Sequence, residues 1–172
     1  MAAGPVLHVV VGPNGAGKST LYDLVLEPTT QLPFVNADGT TADERAELLA
    51  ERRSFVTETE FSHPSKLDLI RSAASAGYMI TLHVVIVPVD LSVARVLNRV
   101  ELGGHSVPES KIRERHARLW TLVREAIGLV DQAYVYDNTT ARNPFRVVAS
   151  FDRGRMVGNA TWRAWTPEDF LT

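Results

Sequence analysis

The sequence predicts an α/β fold: a mostly parallel central sheet with helices on both faces, a three-layer sandwich. Three observations carry this. An apolar strand, Leu7–Val11, runs straight into a glycine-rich turn and then a helix. Strand-like and helix-like segments alternate after it, which favours parallel strands joined by right-handed crossovers. The run Tyr78–Val89 is apolar through nearly all of its middle, as a strand covered on both faces must be.

The elements follow in order. Residues from about Lys18 to Leu26 read as a helix that stops near Pro28, since proline breaks the helical ladder. Pro33–Asp38 is a short strand with polar residues at its end. Thr41–Arg53 is helical, with Ala42, Leu48 and Leu49 as its apolar face. Ser54–Glu58 is the next strand, and His63–Gly77 a helix stopped by its glycine. In Asp90–Leu102, Asp90 serves as N-cap, and Leu91, Ala94, Leu97 and Val100 have helical spacing. "GGHSVPES" interrupts the pattern. Ser106 and Glu109 then have capping-box spacing for a long helix to about Val130, with Ile112, Leu119, Val123, Ala126 and Val130 as its stripe. Gln132–Asn138 is a further strand. "FRVVASF" and "RMVGNATW" read as a hairpin turning at Asp152–Gly154, placed at a sheet edge, and "PEDFL" as a last helical turn.

At 172 residues the chain has the size of one domain with one core, residues 1–172. Its 45% hydrophobic and 22% charged residues are those of a globular protein. A net charge of -2 argues against a nucleic-acid binder, which is usually basic. With no cysteine, disulfides, thiolate catalysis and thiolate zinc sites are excluded. Met1–Pro5 lacks the basic start of a signal peptide, and no apolar run approaches the ~18 residues that cross a bilayer. The expected location is the cytoplasm, without a membrane partner. The three tryptophans, Trp120, Trp162 and Trp165, are expected to be packing residues.

The turn after the first strand, "GPNGAGKST", fits G-x-x-x-x-G-K-[ST] through Gly12, Gly17, Lys18 and Ser19. Successive backbone amides can surround a triphosphate only where the chain curls tightly with no Cβ in the way. Gly12, Pro13, Asn14, Gly15, Ala16, Gly17, Lys18, Ser19 and Thr20 are therefore the expected ATP-binding segment, backed by the positive end of the following helix. Lys18 supplies a mobile charge for the outer phosphates, and Ser19 a hydroxyl ligand for Mg²⁺. The fold is thus expected to be of the P-loop NTPase or kinase type. The motif alone leaves a kinase, an ATPase switch and a GTPase open.

Ligands of open parallel sheets bind beyond the carboxyl ends of the strands. There the sequence has Asn36 and Asp38, then Glu58 and Glu60, then Asp137 and Asn138. Two acidic stations beside a triphosphate suit phosphoryl transfer, one directing an acceptor hydroxyl and the other holding the acceptor. Asp38 also reads as a turn residue before Gly39. Glu58 and Glu60 are expected to face opposite ways, so that one of them reaches the site, and Glu58 is the choice. Arg95 and Arg99 share a helix face. Lys111, Arg115 and Arg118 lie on one flank of the long helix, Arg113 and Arg124 on the other. With the glycine-rich hinge between the two helices, residues from about 99 to 118 have the makings of a helical lid that brings arginines over a transferring phosphoryl group. His105 reads as a hinge surface residue, and His63 as a residue that caps or precedes a helix.

In order along the chain, "GPNGAGKST", "VNAD", "FVTETEFS", "GGHSVPESKIRERHAR" and "YVYDNT" resemble the zeta-toxin family of P-loop kinases, in particular its short, single-domain members, over about residues 7 to 140. The resemblance implies an ATP- and Mg²⁺-dependent kinase. It implies Asp38 as general base toward the acceptor hydroxyl, and Glu58, in place of the glutamate of the family's "ETT" stretch, as an acceptor contact. It further implies that Arg99 and Arg115 reach the triphosphate from the lid, and that Asp137–Thr139, with Asn138, lies near the adenine. A nucleotide sugar such as UDP-N-acetylglucosamine is the acceptor the family implies, and a small helical antitoxin the partner. Two departures are visible. Only the 19 residues Gly39 to Thr57 separate Asp38 from Glu58, fewer than is usual in the family. "ETT" has become "ETE", which puts Glu60 where a hydroxyl would stand and makes a neutral or cationic acceptor an alternative. A nucleotide-binding switch or partner-binding module with little chemistry, and an antibiotic-modifying phosphotransferase, are the other readings.

Overall fold

A computed structural model describes residues 3–36 and 41–171. Strand β1 (Val6–Val11) is the third strand of a seven-stranded sheet. It pairs in parallel with β3 (Phe55–Thr59) on one side and β4 (Met79–Ile86) on the other. β2 (Phe34–Val35) extends the sheet beyond β3, and β5 (Gln132–Asp137) beyond β4, both in parallel. The hairpin of β6 (Arg146–Asp152) and β7 (Arg155–Met156) closes the far edge antiparallel, giving the order β2-β3-β1-β4-β5-β6-β7. Arg153 and Gly154 both have positive φ, 45° and 77°, as a two-residue turn matched to strand twist requires. The chain leaves β1 toward β2 and β3 and then crosses back to β4. The carboxyl ends around β1 therefore open onto a crevice, the place where such sheets bind ligands.

Side-chain alternation divides the core. Leu7, Val9 and Val11 face one way, into a cluster with Leu67 and Ile70 of α4 (Leu67–Ser75) and Leu119, Val123 and Ile127 of α6 (Glu109–Leu129). Val10, Val56 and Val85 face the other, against Leu21, Leu26 and Phe145. Both faces are covered, and the α/β three-layer expectation holds, edge hairpin included. The α6 stripe is buried as its spacing requires. Trp120 is buried against Phe170 of the final 3₁₀ turn, Glu168–Phe170, and Trp162 and Trp165 pack against the same core.

Three local expectations are corrected. The helix after the glycine-rich turn does not stop at Pro28. It runs as α1 (Lys18–Leu21), a π-helical turn (Tyr22–Leu26) and α2 (Glu27–Thr30). The Glu27 N–H reaches back five residues to the Tyr22 carbonyl, and Pro28 enters in the first turn of α2, where its missing N–H is least felt. The Thr29 and Thr30 hydroxyls donate to the Val25 and Leu26 carbonyls at 2.7 Å each.

Second, the side-chain caps expected at Asp90 and Ser106 do not form. Pro88 and Pro108 hold the N-cap positions of α5 (Val89–Glu101) and α6, with no side-chain cap bond. Asp90 lies inside the first turn of α5 and pairs with Arg113 at 2.9 Å. Third, the buried face of α5 is Ser92, Val93 and Val96, while Ala94 and Leu97 are exposed. The helix packs against the loop after β1 and against Ile112 of α6, and this partner sets the face.

α3 (Thr41–Ala50) ends three residues before the expected Arg53, where Arg52 adopts positive φ, and Leu48 is its buried anchor. His63 does cap, its Nδ1 accepting the Ser65 N–H ahead of α4. At the base of the smaller core His8 Nδ1 lies 2.9 Å from His83 Nε2, and His83 Nδ1 2.9 Å from the Tyr136 hydroxyl. Burial first, and then the neighbouring His8, depress the pKa of His83 to about 3. Among the described residues no helix is long and apolar enough to cross a membrane.

Candidate active site

The turn between β1 and α1 is held from outside at every carbonyl from residue 12 to 16. Lys18 Nζ donates to the Gly12 and Pro13 oxygens at 3.0 and 3.3 Å. The Ser92 hydroxyl donates to Asn14 O, Arg95 Nη1 to Gly15 O at 3.1 Å, and Asn138 Nδ2 to Ala16 O at 2.8 Å. With its carbonyls engaged, the curl has amide N–H groups to offer an anion. The space explains two of its glycines. A Cβ on Gly12 would stand 2.7 Å from the Val85 carbonyl oxygen of β4. One on Gly17, whose φ is 98°, would stand 2.5 Å from Asn138 Nδ2. The cradle thus fits a bound phosphate chain. Lys18 and the exposed Ser19 sit at its mouth, where Ser19 could hold a metal ion.

Arg95 is a brace. Its other guanidinium nitrogen donates to the Asn138 carbonyl at 2.8 Å, so one side chain ties the turn to the segment after β5. Burial first, and then neighbouring Arg99, lower its pKa. Asp137 anchors that segment. Its buried carboxylate accepts from the Thr139 hydroxyl and N–H at 2.7 and 3.0 Å and from Arg163 Nε at 2.7 Å. Burial alone would raise its pKa; these bonds outweigh it and hold the carboxyl below its ordinary range.

A cavity of about 290 Å³ opens beside the turn. Lys18, Ser19 and Thr20 form one wall, Glu58 and Glu60 a second, and Arg99, Gly104 and His105 the third. Here the expectation for the two glutamates is corrected: residues two apart on a strand share a side, and both line the cavity. Arg115 stands 3.9 Å from Glu60 and lines a neighbouring hollow with Lys111 and Arg118 rather than this one. Across the turn a hollow of about 250 Å³ lies between Thr20, Arg95, Asn98, Arg99 and Asn138. The structure therefore gathers the expected residues Gly12 to Thr20, Glu58, Arg99 and Asn138 around one end of the sheet. Asp38 lies outside the described residues.

Three residues have a part in the site that the sequence did not assign to them. His105 lines the cavity because the Gly104 N–H returns to the Arg99 carbonyl at 2.9 Å, a fold that a Cβ on Gly104, 2.9 Å from the same oxygen, would obstruct. The paired glycines were the signal. Ser92 and Arg95, the braces, were signalled by polar residues on a face that packs inward.

The sequence profile of the Zeta toxin family matches residues 33–145, a stretch that leaves out the glycine-rich turn. The chain belongs to the Zeta toxin family. Family and phosphate loop are therefore separate observations. Among solved structures, one from the PezAT chromosomal toxin-antitoxin system of Streptococcus pneumoniae is similar at a TM-score of 0.67 and 12% identity, over 87% of this chain and 72% of that one. AvrRxo1-ORF1:-ORF2 with ATP is similar at 0.66 and 17%, over 91% of this chain and 61% of that one. Shikimate kinase from Acinetobacter baumannii, in complex with shikimate, is similar at 0.53 and 18%, over 81% and 86%. At these identities the likeness is one of fold, and the zeta-toxin chain has the fold of P-loop kinases. It spans less than two thirds of the AvrRxo1 chain. No curated protein sequence matches it.

Proposed function

We propose that this zeta-toxin chain is a cytoplasmic, ATP- and Mg²⁺-dependent kinase that phosphorylates a hydroxyl of a small molecule, built as one P-loop kinase domain over residues 1–172. The observation that carries the reading is the 290 Å³ cavity, which sets cationic and hydroxyl groups (Lys18, Ser19, Arg99) opposite two carboxylates (Glu58, Glu60). A structural neighbour solved with ATP and another that is a shikimate kinase support it.

In this reading the amides of Gly12–Thr20 hold the phosphates, and Lys18 turns from the Gly12 and Pro13 carbonyls to the outer ones. Bound Mg²⁺, held through Ser19, would spread the developing negative charge. Asp38, two residues past Asn36 at the end of β2, takes the proton of the acceptor hydroxyl. The acceptor oxygen bonds to the γ-phosphorus as the bond to the β-phosphate oxygen breaks, and ADP leaves. Glu58 holds the acceptor. Arg99 and Arg115, in a lid of about residues 99–118, close over the transfer and exclude water. Asn138 lies on the base side of the nucleotide. The family implies UDP-N-acetylglucosamine or a related nucleotide sugar as acceptor; Glu60 on the cavity wall favours a neutral or cationic alcohol. A small helical antitoxin is the proposed partner.

The test is γ-labelled ATP with Mg²⁺, offered with UDP-N-acetylglucosamine and with a metabolite extract. Label should pass to a small molecule. Asp38→Ala should bind ATP as the parent does and lose transfer, and undiminished turnover in that variant removes the base assignment. Release of phosphate alone supports the nucleotide-switch reading instead.

A further inference from the structure

β3 has a second side. Glu58 and Glu60 face the phosphate-loop cavity, while Thr59 between them faces the opposite way. It lines a cavity of about 320 Å³ between α3 and α4. Thr59 is 3% exposed, and among the described residues its hydroxyl is the only buried side-chain polar atom without a hydrogen-bond partner. Such an orphan is rare and costly, and the residue that carries it lines a cavity. Ala46, Leu49 and Leu69 give the cavity an apolar wall. Of the charged groups on the wall, Asp68 already faces Arg71 at 3.2 Å, whereas Lys66 pairs with no described carboxylate.

We propose that this cavity between α3 and α4 is a binding site for a small amphipathic anion: an apolar body against Leu49 and Leu69, an anionic end at Lys66, and a hydrogen-bonding group that satisfies Thr59. The site stands apart from the phosphotransfer residues and does not depend on the kinase reading. One strand separates the two cavities, so the occupant is either the distal part of the acceptor or a separate effector.

The probes are 4-hydroxybenzoate and 6-hydroxyhexanoate, with neutral 4-hydroxybenzamide as control, read by amide and methyl NMR shifts. The two anions should shift Leu49, Thr59 and Leu69, and the neutral control should bind about tenfold more weakly. Thr59→Val removes the hydroxyl and keeps the shape. It should raise Tm, because the orphan is gone, and weaken the anions about tenfold. Thr59→Ser should retain binding, and Lys66→Met should lose the preference for anions. A Thr59→Val variant of lower Tm and unchanged probe binding would mean that a structural water serves the hydroxyl, which overturns the proposal. So would anions that shift none of the three residues. Competition between probe and acceptor in the label-transfer assay assigns the site to the acceptor, and binding without competition assigns it to an effector. No label transfer even before probe is added, with probe binding intact, would count against the kinase reading alone.

Discussion

The two walls of the phosphate-loop cavity are built in different ways. The proposed donor wall is backbone, with each carbonyl from Gly12 to Ala16 met by a side-chain donor drawn from α1, α5 or the segment after β5. The proposed acceptor wall is side chain, with Glu58 near the end of a five-residue strand, Glu60 just past it, and Glu60 partnered by Arg115 on α6 at 3.9 Å. In the proposed kinase a backbone wall would hold a ligand common to many enzymes, whatever the acceptor. A wall of side chains can be altered one residue at a time, so differences in acceptor should accumulate there.

That contrast can be broken by substitution. The largest expected effect is at Lys18. Lys18→Met should cost roughly 10²- to 10³-fold in transfer, the loss typical of removing one donor to a developing charge; label transfer at saturating ATP measures it. Next is Arg95→Met, which frees two backbone carbonyls from a charged donor. It should weaken ATP binding by about 1.5–3 kcal/mol in calorimetry, and unchanged affinity would show that the donor wall needs no outer brace. Glu60→Thr tests the other wall. It should raise kcat/KM for an anionic acceptor about tenfold, the equivalent of about 1.4 kcal/mol of relieved repulsion. Stability should change by less than about 1 kcal/mol, since the Arg115 pair is exposed.

The smallest effect lies away from both walls. His83 is buried against His8, Tyr134 and Tyr136, and its pKa is depressed to about 3. A histidine with a depressed folded pKa contributes stability that is complete above about pH 6.5 and is lost as pH falls toward 3. His83→Gln should flatten thermal stability across that window and leave both walls alike. A profile that stays as steep would place the acid-sensitive group elsewhere.

The same contrast separates what could be read from the sequence. The donor wall is local in the chain. Gly12 to Thr20 follow one strand and open one helix, so spacing alone located it. The parallel sheet was legible for a similar reason, because strands buried on both faces leave long apolar runs such as Met79–Ile86. The braces were not, because Ser92 and Asn138 meet the loop across 78 and 122 residues of sequence. Helix starts were misread where a proline, already fixed in φ, occupied the position that a side-chain cap would otherwise fill. The cavity position of His105 was not legible because it depends on a turn closed at Arg99. The placement of both glutamates followed directly from strand geometry, which the reading applied with the wrong parity.

Strand parity at the end of β3 has a consequence for how this chain can change. Inserting or deleting a single residue just upstream of Glu58 would exchange the two compartments at a stroke: a hydroxyl would enter the phosphate-loop cavity and the carboxylates would be driven between α3 and α4. No graded path joins those arrangements. New specificity should therefore arise by replacing residues at this tip while the length of the strand stays fixed, with indels confined to the connection before Phe55.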